Sequence, residues 1–269
     1  MQVFADDGAR IDARIDGRGH ERAVVLIHGF PFTRAIWESQ TNALAQTFCV
    51  LSPDLRGAGK SSAPEGPYLM ERLAADIAVL LDALGIESAA VIGHSMGGYV
   101  ALAFARMFTE RVKQLGLIAS RLRADTPAEA AARRELATRV DREGSIEPVV
   151  EAYLPRLLAA QTLAGRPEIV ERAYAIARHN GAAGAAAALR GMALRAPSDD
   201  IAEDLGVPML MVMGGSDRTL PIAEARADVE RFARGRLAIC NASGHLPMLE
   251  EASCVDGALQ AWLSESPET

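Results

Sequence analysis

Long apolar runs are missing from this chain. Nowhere do as many as 18 apolar residues follow one another, so no segment is expected to cross a membrane. An excess of basic charge is missing too: 28 Lys and Arg stand against 35 Asp and Glu, a formal net charge of −7. The arginines form no stripe and are spread through segments patterned as amphipathic helices. Nucleic acid and anionic membrane are therefore not expected as partners. Cysteine is scarce. Cys49, Cys240 and Cys254 are an odd number without metal-ligand spacing and read as reduced thiols. The opening MQVFADDGARIDARIDGRG has two early aspartates and no apolar centre, unlike a secretory leader. Together these give the expectation of a soluble, cytoplasmic protein.

What is present is the composition of a globular protein, 49% hydrophobic and 23% charged. Its 269 residues suit one large α/β domain, or one domain carrying an insertion. Strand and helix patterns alternate over the first part. ARIDARIDG (9–17) has near-twofold periodicity and predicts an exposed hairpin strand, while AVVLIHG (23–29) is continuously apolar, as in a strand buried on both faces. Ile36, Trp37 and Leu44 then fall at helical spacing, and FCVLSPDLRGAGKSS reads as a buried strand entering a glycine-rich loop. Leu69, Leu73, Ile77, Leu80, Leu81 and Leu84 form a helical stripe closed by Gly85. Such succession predicts a doubly wound, mostly parallel sheet.

From Arg121 to about Ala196 the pattern changes to helices alone, ending in the alanine-rich GAAGAAAALRGMALRA. A lipid-binding arm is one reading; a helical insertion packed on the parent domain fits the preference for core packing better. Strand and helix resume with VPMLMVMGGSD, PIAEARADVERFA, GRLAIC and the closing SCVDGALQAWLSE. No internal repeat and no dividing linker is found. The expected division is a core of residues 1–120 and 198–269 with a helical cap of 121–197.

The most informative stretch is VIGHSMGGYVALAFA (91–105). A strand ending in Gly-x-Ser-x-Gly and passing at once into a helix forms a sharp turn, with the serine exposed at its corner. Gly93 and Gly97 let backbone approach where a Cβ would collide, and the helix start aims free N–H groups and positive dipole at Ser95. A serine hydroxyl needs a base to become a nucleophile. Chain order places an acid next and a histidine last. Asp217 follows an apolar run, and His245 is the only histidine beyond it. Asp125 is the alternative acid, and Asp217 on its own would read as a capping residue, a role also open to Ser216 or Thr219. His28-Gly29-Phe30-Pro31 follows the first buried strand, so the N–H groups of Phe30 and Met96 are the candidate oxyanion donors. His28 and His94 read as structural, within the loop and the elbow; His20 and His179 have no supporting context.

HGFP, DLRGAGKSS, GHSMGG, GGSD and SGHLPMLE follow one another as in the α/β-hydrolase superfamily, which the chain resembles over nearly its whole length. Within that superfamily it is similar to small bacterial carboxylesterases and 3-oxoadipate enol-lactonases, through GGYVALAFARMF and LIASRLRADTPAEAAARRELATRV. The resemblance implies an α/β-hydrolase fold with a cap over the site, and no metal or organic cofactor. Serine at the elbow departs from the aspartate of haloalkane dehalogenases and epoxide hydrolases. The cap holds no tryptophan, and Tyr153 and Tyr174 are its aromatics, unlike the usual enol-lactonase cap. Arg121, Arg123, Arg156, Arg190 and Arg195 are candidates for a substrate carboxylate, although helix arginines are usually solvated. Leu154, Leu158, Met192 and Leu246 are expected to line an apolar pocket suited to a neutral short-to-medium acyl or aryl ester.

The expected chemistry is ester hydrolysis through Ser95, His245 and Asp217 in a monomer or small homo-oligomer acting on a small-molecule ester. A lactonase shares every one of these groups, as do a C–C bond hydrolase and a perhydrolase. A triad-bearing ligand-binding or signalling protein with negligible turnover is the rival from another class, and an inactive scaffold is a third, opposed by the intact order of the three residues.

Overall fold

The computed structural model describes residues 1–265. Eight strands form one sheet: β1 (Gln2–Phe4), β2 (Arg10–Asp16), β3 (Ala23–Ile27), β4 (Cys49–Pro53), β5 (Ala89–His94), β6 (Val112–Ile118), β7 (Met209–Gly214) and β8 (Gly235–Cys240). Their order is β1-β2-β4-β3-β5-β6-β7-β8. Only β2 runs against its neighbours; every pair from β4 to β8 is parallel. The apolar runs explain this. β3, β5 and β7 are buried at every position, as central parallel strands must be, whereas β2 at the antiparallel margin keeps exposed and half-buried residues.

Helices α1 (Glu38–Leu44), α2 (Met70–Asp82) and α3 (Met96–Met107) connect the first parallel strands. The path from β3 to β4 steps one way along the sheet and the path from β4 to β5 steps back. Right-handed crossovers therefore put α1 on one face and α2 with α3 on the other. The reversal occurs at β3, so the carboxyl ends of β3 and β5 lie side by side with no connection covering them. In a doubly wound sheet that crevice is where a ligand fits.

Between β6 and β7 the chain is helical: α4 (Pro127–Glu143), α5 (Glu147–Leu157), α6 (Ala160–Gly165), α7 (Pro167–Arg178), α8 (Ala182–Ala193) and α9 (Asp199–Asp204). Residues 121–197 hold α4 to α8, and α9 follows beside α3, where Arg106 pairs with Asp200. Thr126 and Glu129 close a reciprocal cap on α4, and Gly144 ends it in the left-handed region. The alanine-rich segment is α8, buried along most of its length and packed on α4, with the Tyr68 N–H of the core bonded to the Ala187 carbonyl at 3.1 Å. Its small side chains permit that close approach, so the helical-insertion expectation holds. After β7 come α10 (Ile222–Glu230), α11 (Pro247–Glu250) and α12 (Ala252–Leu263), the last packed beside α1. No described helix is long and apolar enough to cross a membrane.

The cysteine expectation needs correction. Cys240, at the end of β8, and Cys254, in the first turn of α12, form a disulfide with Cα atoms 5.9 Å apart. Only Cys49 is a free thiol. The 13 intervening residues turn back over the sheet edge and bring the two together, which removes the cysteine argument for a reducing compartment.

Candidate active site

The corner after β5 is built as its glycines demand. Ser95 has φ 50° and ψ −113°, a conformation that costs an L-residue about 1–3 kcal/mol. A Cβ on Gly93 would overlap the Gly97 carbonyl, and one on Gly97 would overlap the Ile27 carbonyl of β3. Elbow and strand can approach this closely only with glycine at both positions. Gly29 lies in turn against the His94 ring. The strained turn is held from outside: Ser95 N–H donates to the Ile118 carbonyl at 2.9 Å, and Ser120 Oγ donates to the Ser95 carbonyl at 2.9 Å.

Chain order becomes geometry at this corner. His245, in the loop between β8 and α11, places Nε2 2.9 Å from Ser95 Oγ and Nδ1 2.7 Å from Asp217 Oδ2. Burial opposes ionisation of Asp217, but the neighbouring His245 and the bonds from His245 and Thr219 outweigh it and hold the carboxyl down at about 2. An ionised carboxylate only accepts, so Nδ1 carries the imidazole proton and Nε2 is left to accept from the serine hydroxyl. The other oxygen of Asp217 is occupied as well. Oδ1 accepts from Thr219 Oγ1 and Thr219 N–H, each at 2.7 Å, and from Leu220 N–H at 3.2 Å. The carboxylate therefore has one orientation. Asp125, the alternative acid, is bonded to Arg121 and Arg133 and does not reach His245.

Two other histidines are structural, as expected, and more specifically than the sequence indicated. His28 bonds through Nδ1 to the Gly29 carbonyl at 3.0 Å and accepts the Leu55 N–H at Nε2 at 2.9 Å, and burial lowers its pKa. His94, wholly buried and pushed down to about 3 by burial and then by His245, is neutral. Its Nε2–H donates to the His245 carbonyl at 2.9 Å, so the elbow holds the loop of His245 directly.

Among the described residues, Phe30 N–H and Met96 N–H find no hydrogen-bond acceptor. Met96 is the first residue of α3, where the backbone has no intrahelical acceptor to offer. Phe30 follows β3, the neighbour of β5. Both free donors stand at the adjacent strand ends beside Ser95, suited to an oxygen bearing developing negative charge.

A cavity of about 330 Å³ opens over Ser95 and His245, walled by Phe30, Tyr99, Leu157, Met192 and Leu220 among others. Of the four residues expected to line it, only Met192 does. Leu154, Leu158 and Leu246 are at most 1% exposed and lie outside the lining. All three belong to the hydrophobic core; Leu157 takes the place assigned to its neighbours Leu154 and Leu158. The apolar character expected of the pocket is also corrected. Arg121, Arg133, Arg156 and Arg218 all reach this wall, with Glu129 as its carboxylate. Arg121, Arg133 and Arg195 converge on Asp125 at 3.0, 2.5 and 3.5 Å, while Glu129 is shared by Arg121 and Arg123. Among the described residues Arg156 and Arg218 have no carboxylate partner; they bond to the carbonyls of Ala152 and Pro155. Of the other cap arginines singled out, Arg190 pairs with Asp141 away from the cavity.

Sequence reasoning missed Arg133, Arg218 and Tyr99. Tyr99 stands four residues beyond Ser95 on α3, a spacing that turns it to the same side, and that signal was available. Among the described residues no group of three or more His, Cys, Asp or Glu side chains is placed to hold a metal ion.

Comparison with known proteins adds the lineage. The family model described as alpha/beta hydrolase fold matches residues 22–252. A solved thermophilic esterase from Thermogutta terrifontis, with malate bound, is 35% identical, with 98% of each chain covered and a TM-score of 0.93. The enol-lactonase from Burkholderia xenovorans LB400 is 27% identical over 98% of this chain and 100% of its own, with a TM-score of 0.91. Among curated proteins, 3-oxoadipate enol-lactonase 2 of Acinetobacter baylyi is 27% identical over 246 residues, 91% of this chain and 90% of that one.

Proposed function

This chain belongs to the alpha/beta hydrolase family, and from that premise we propose that it is a serine carboxylesterase working through Ser95, His245 and Asp217. The observation that carries this reading is the 2.9 Å contact between His245 Nε2 and a strained, cavity-facing Ser95 Oγ. In the first half-reaction Ser95 Oγ attacks the ester carbonyl as His245 Nε2 takes its proton. Asp217, ionised, orients the imidazole and stabilises its cation. The N–H groups of Phe30 and Met96 receive the carbonyl oxygen as it becomes an oxyanion, an interaction worth about 3 kcal/mol per donor in serine hydrolases. The imidazolium then protonates the leaving alkoxide, and the acyl group stays on Ser95. In the second half-reaction Nε2 takes a proton from water, hydroxide adds to the acyl carbon, and Ser95 leaves with the proton returned. Steady-state hydrolysis of p-nitrophenyl acetate and butyrate by wild type and Ser95→Ala tests this. Many turnovers, lost with the serine, support it. A single equivalent of p-nitrophenol followed by a stall would point instead to a binding protein.

The arginine-lined wall favours a second reading on the same groups: a lactonase, or an esterase, whose substrate carries a carboxylate. Arg156 and Arg218 border the cavity and have no carboxylate partner among the described residues, so an acyl group ending in an anion gains attraction there that a neutral one does not. Two relatives named above are lactonases, and the solved esterase holds malate, a dicarboxylate. Comparing mono-p-nitrophenyl succinate with p-nitrophenyl butyrate, and then a carboxylated lactone with both, separates the two readings.

A further inference from the structure

Glu250 is buried to 3% exposure, carries three hydrogen bonds, and has no part in the chemistry just described. It ends α11, five residues after the base. Oε1 accepts the Gly244 N–H, next to His245, at 2.9 Å. Oε2 accepts the Ala159 N–H at 2.8 Å and the Thr162 hydroxyl at 2.6 Å, both from the corner where α5 passes into α6. The same corner supplies the Leu157 carbonyl to His245 N–H at 2.7 Å, and Arg166 reaches back to the Glu250 carbonyl at 2.6 Å. Gln161 closes the set on the Ala242 carbonyl.

We propose that Glu250 is a positioning residue for His245, its carboxylate clamping the base loop to the α5–α6 corner so that cap and base form one unit. The inference rests on the hydrolase reading above. Every partner of Glu250 is a donor, on both oxygens. A carboxylate satisfies all three; an amide in its place must turn an NH2 toward a donor on one side and leave a buried group unpaired. On the other flank His94 holds the carbonyl of His245. The imidazole is thus fixed through its own backbone N–H and C=O and through the preceding N–H, with Asp217 fixing the ring. Loss of the Glu250 clamp frees one of these restraints next to the base, and rate falls steeply with small displacements of a proton-transferring group.

The test compares Glu250→Gln and Glu250→Asp with wild type, using p-nitrophenyl acetate and the low-field proton resonance of His245 Nδ1–H. Glu250→Gln is expected to lower kcat about tenfold with KM within about twofold of wild type, and to shift or broaden the resonance. Glu250→Asp restores an all-acceptor group at shorter reach and is expected to recover part of both. A Glu250→Gln protein with wild-type kcat and an unmoved resonance overturns the proposal, as does one that loses thermal stability alone. Should Glu250→Gln not fold, Thr162→Val removes one donor from Oε2 and leaves Gly244 bonded. A smaller fall in kcat with a shifted resonance supports the clamp, and no change in either sinks it. Absence of ester turnover in wild type would overturn the hydrolase reading alone, because the resonance still reports the His245–Asp217 contact.

Discussion

The cavity has two walls built on different physics. On the core side, groups are fixed by main chain: strand ends set the Phe30 and Met96 N–H groups, a strained turn sets Ser95, and His245 is bonded on its N–H and its C=O. On the cap side the functional groups are long side chains, among them Arg121, Arg133 and Arg156, held by ion pairs and carbonyls. A main-chain wall has one geometry and tolerates almost no change. A side-chain wall is adjustable, and charge on it tunes preference rather than chemistry. Relatives that differ in substrate while keeping the fold are what such a division permits.

Changes on the core side are expected to be all-or-none. Ser95→Ala should lower kcat at least about 10³-fold with the fold intact, checked by steady-state kinetics beside circular dichroism. Gly97→Ala, which drives a methyl into the Ile27 carbonyl, should destabilise the protein by about 3 kcal/mol and remove activity with it, seen as a fall in Tm. If it is tolerated, the tight approach of elbow to β3 is not required. Acid stability gives a third expectation. The carboxyl of Asp217 is held at about 2, below its ordinary 3.8. Protons therefore bind the unfolded chain first as pH falls, and the stabilisation is complete above pH ~4 and is lost as pH drops through about 2. Asp217→Asn should erase a contribution on the order of 2 kcal/mol at neutral pH, and urea titrations of both proteins at pH 7 and pH 3 measure it.

The cap side should respond by degrees. Replacing Arg156 and Arg218 together with methionine should reduce kcat/KM for mono-p-nitrophenyl succinate about tenfold, leaving p-nitrophenyl butyrate within about twofold. Both groups are solvent-exposed, which keeps the effect modest. Equal loss on both esters would mean that the arginines hold the cap rather than select the substrate.

The same division governed what could be read from sequence. Ser95 was legible because strand, glycine, serine, glycine and helix are consecutive, and local sterics leave that string one conformation. The sheet followed from the apolar runs at β3, β5 and β7. Placing Asp217 and His245 needed chain order as well, since nothing local separates His245 from any loop histidine. Cap-side residues were read poorly. Helical spacing shows that Leu154, Leu157 and Leu158 are apolar neighbours but not which lines the cavity over Ser95 and which belongs to the core alone. Arg133 and Arg218 gave no sign of themselves, because pairing with Asp125 or with the Pro155 carbonyl is a tertiary matter. The Cys240–Cys254 bond was hidden for the same reason.

The most direct test of the central claim is to trap the acyl-enzyme. Wild type is mixed with p-nitrophenyl acetate, quenched in acid within the first turnovers, digested and examined by mass spectrometry. One acetyl group on the peptide containing Ser95, absent from Ser95→Ala and from enzyme left to exhaust its substrate, is the result predicted. An unmodified Ser95 during turnover, or acetyl on another residue that turns over at the steady-state rate, would contradict it.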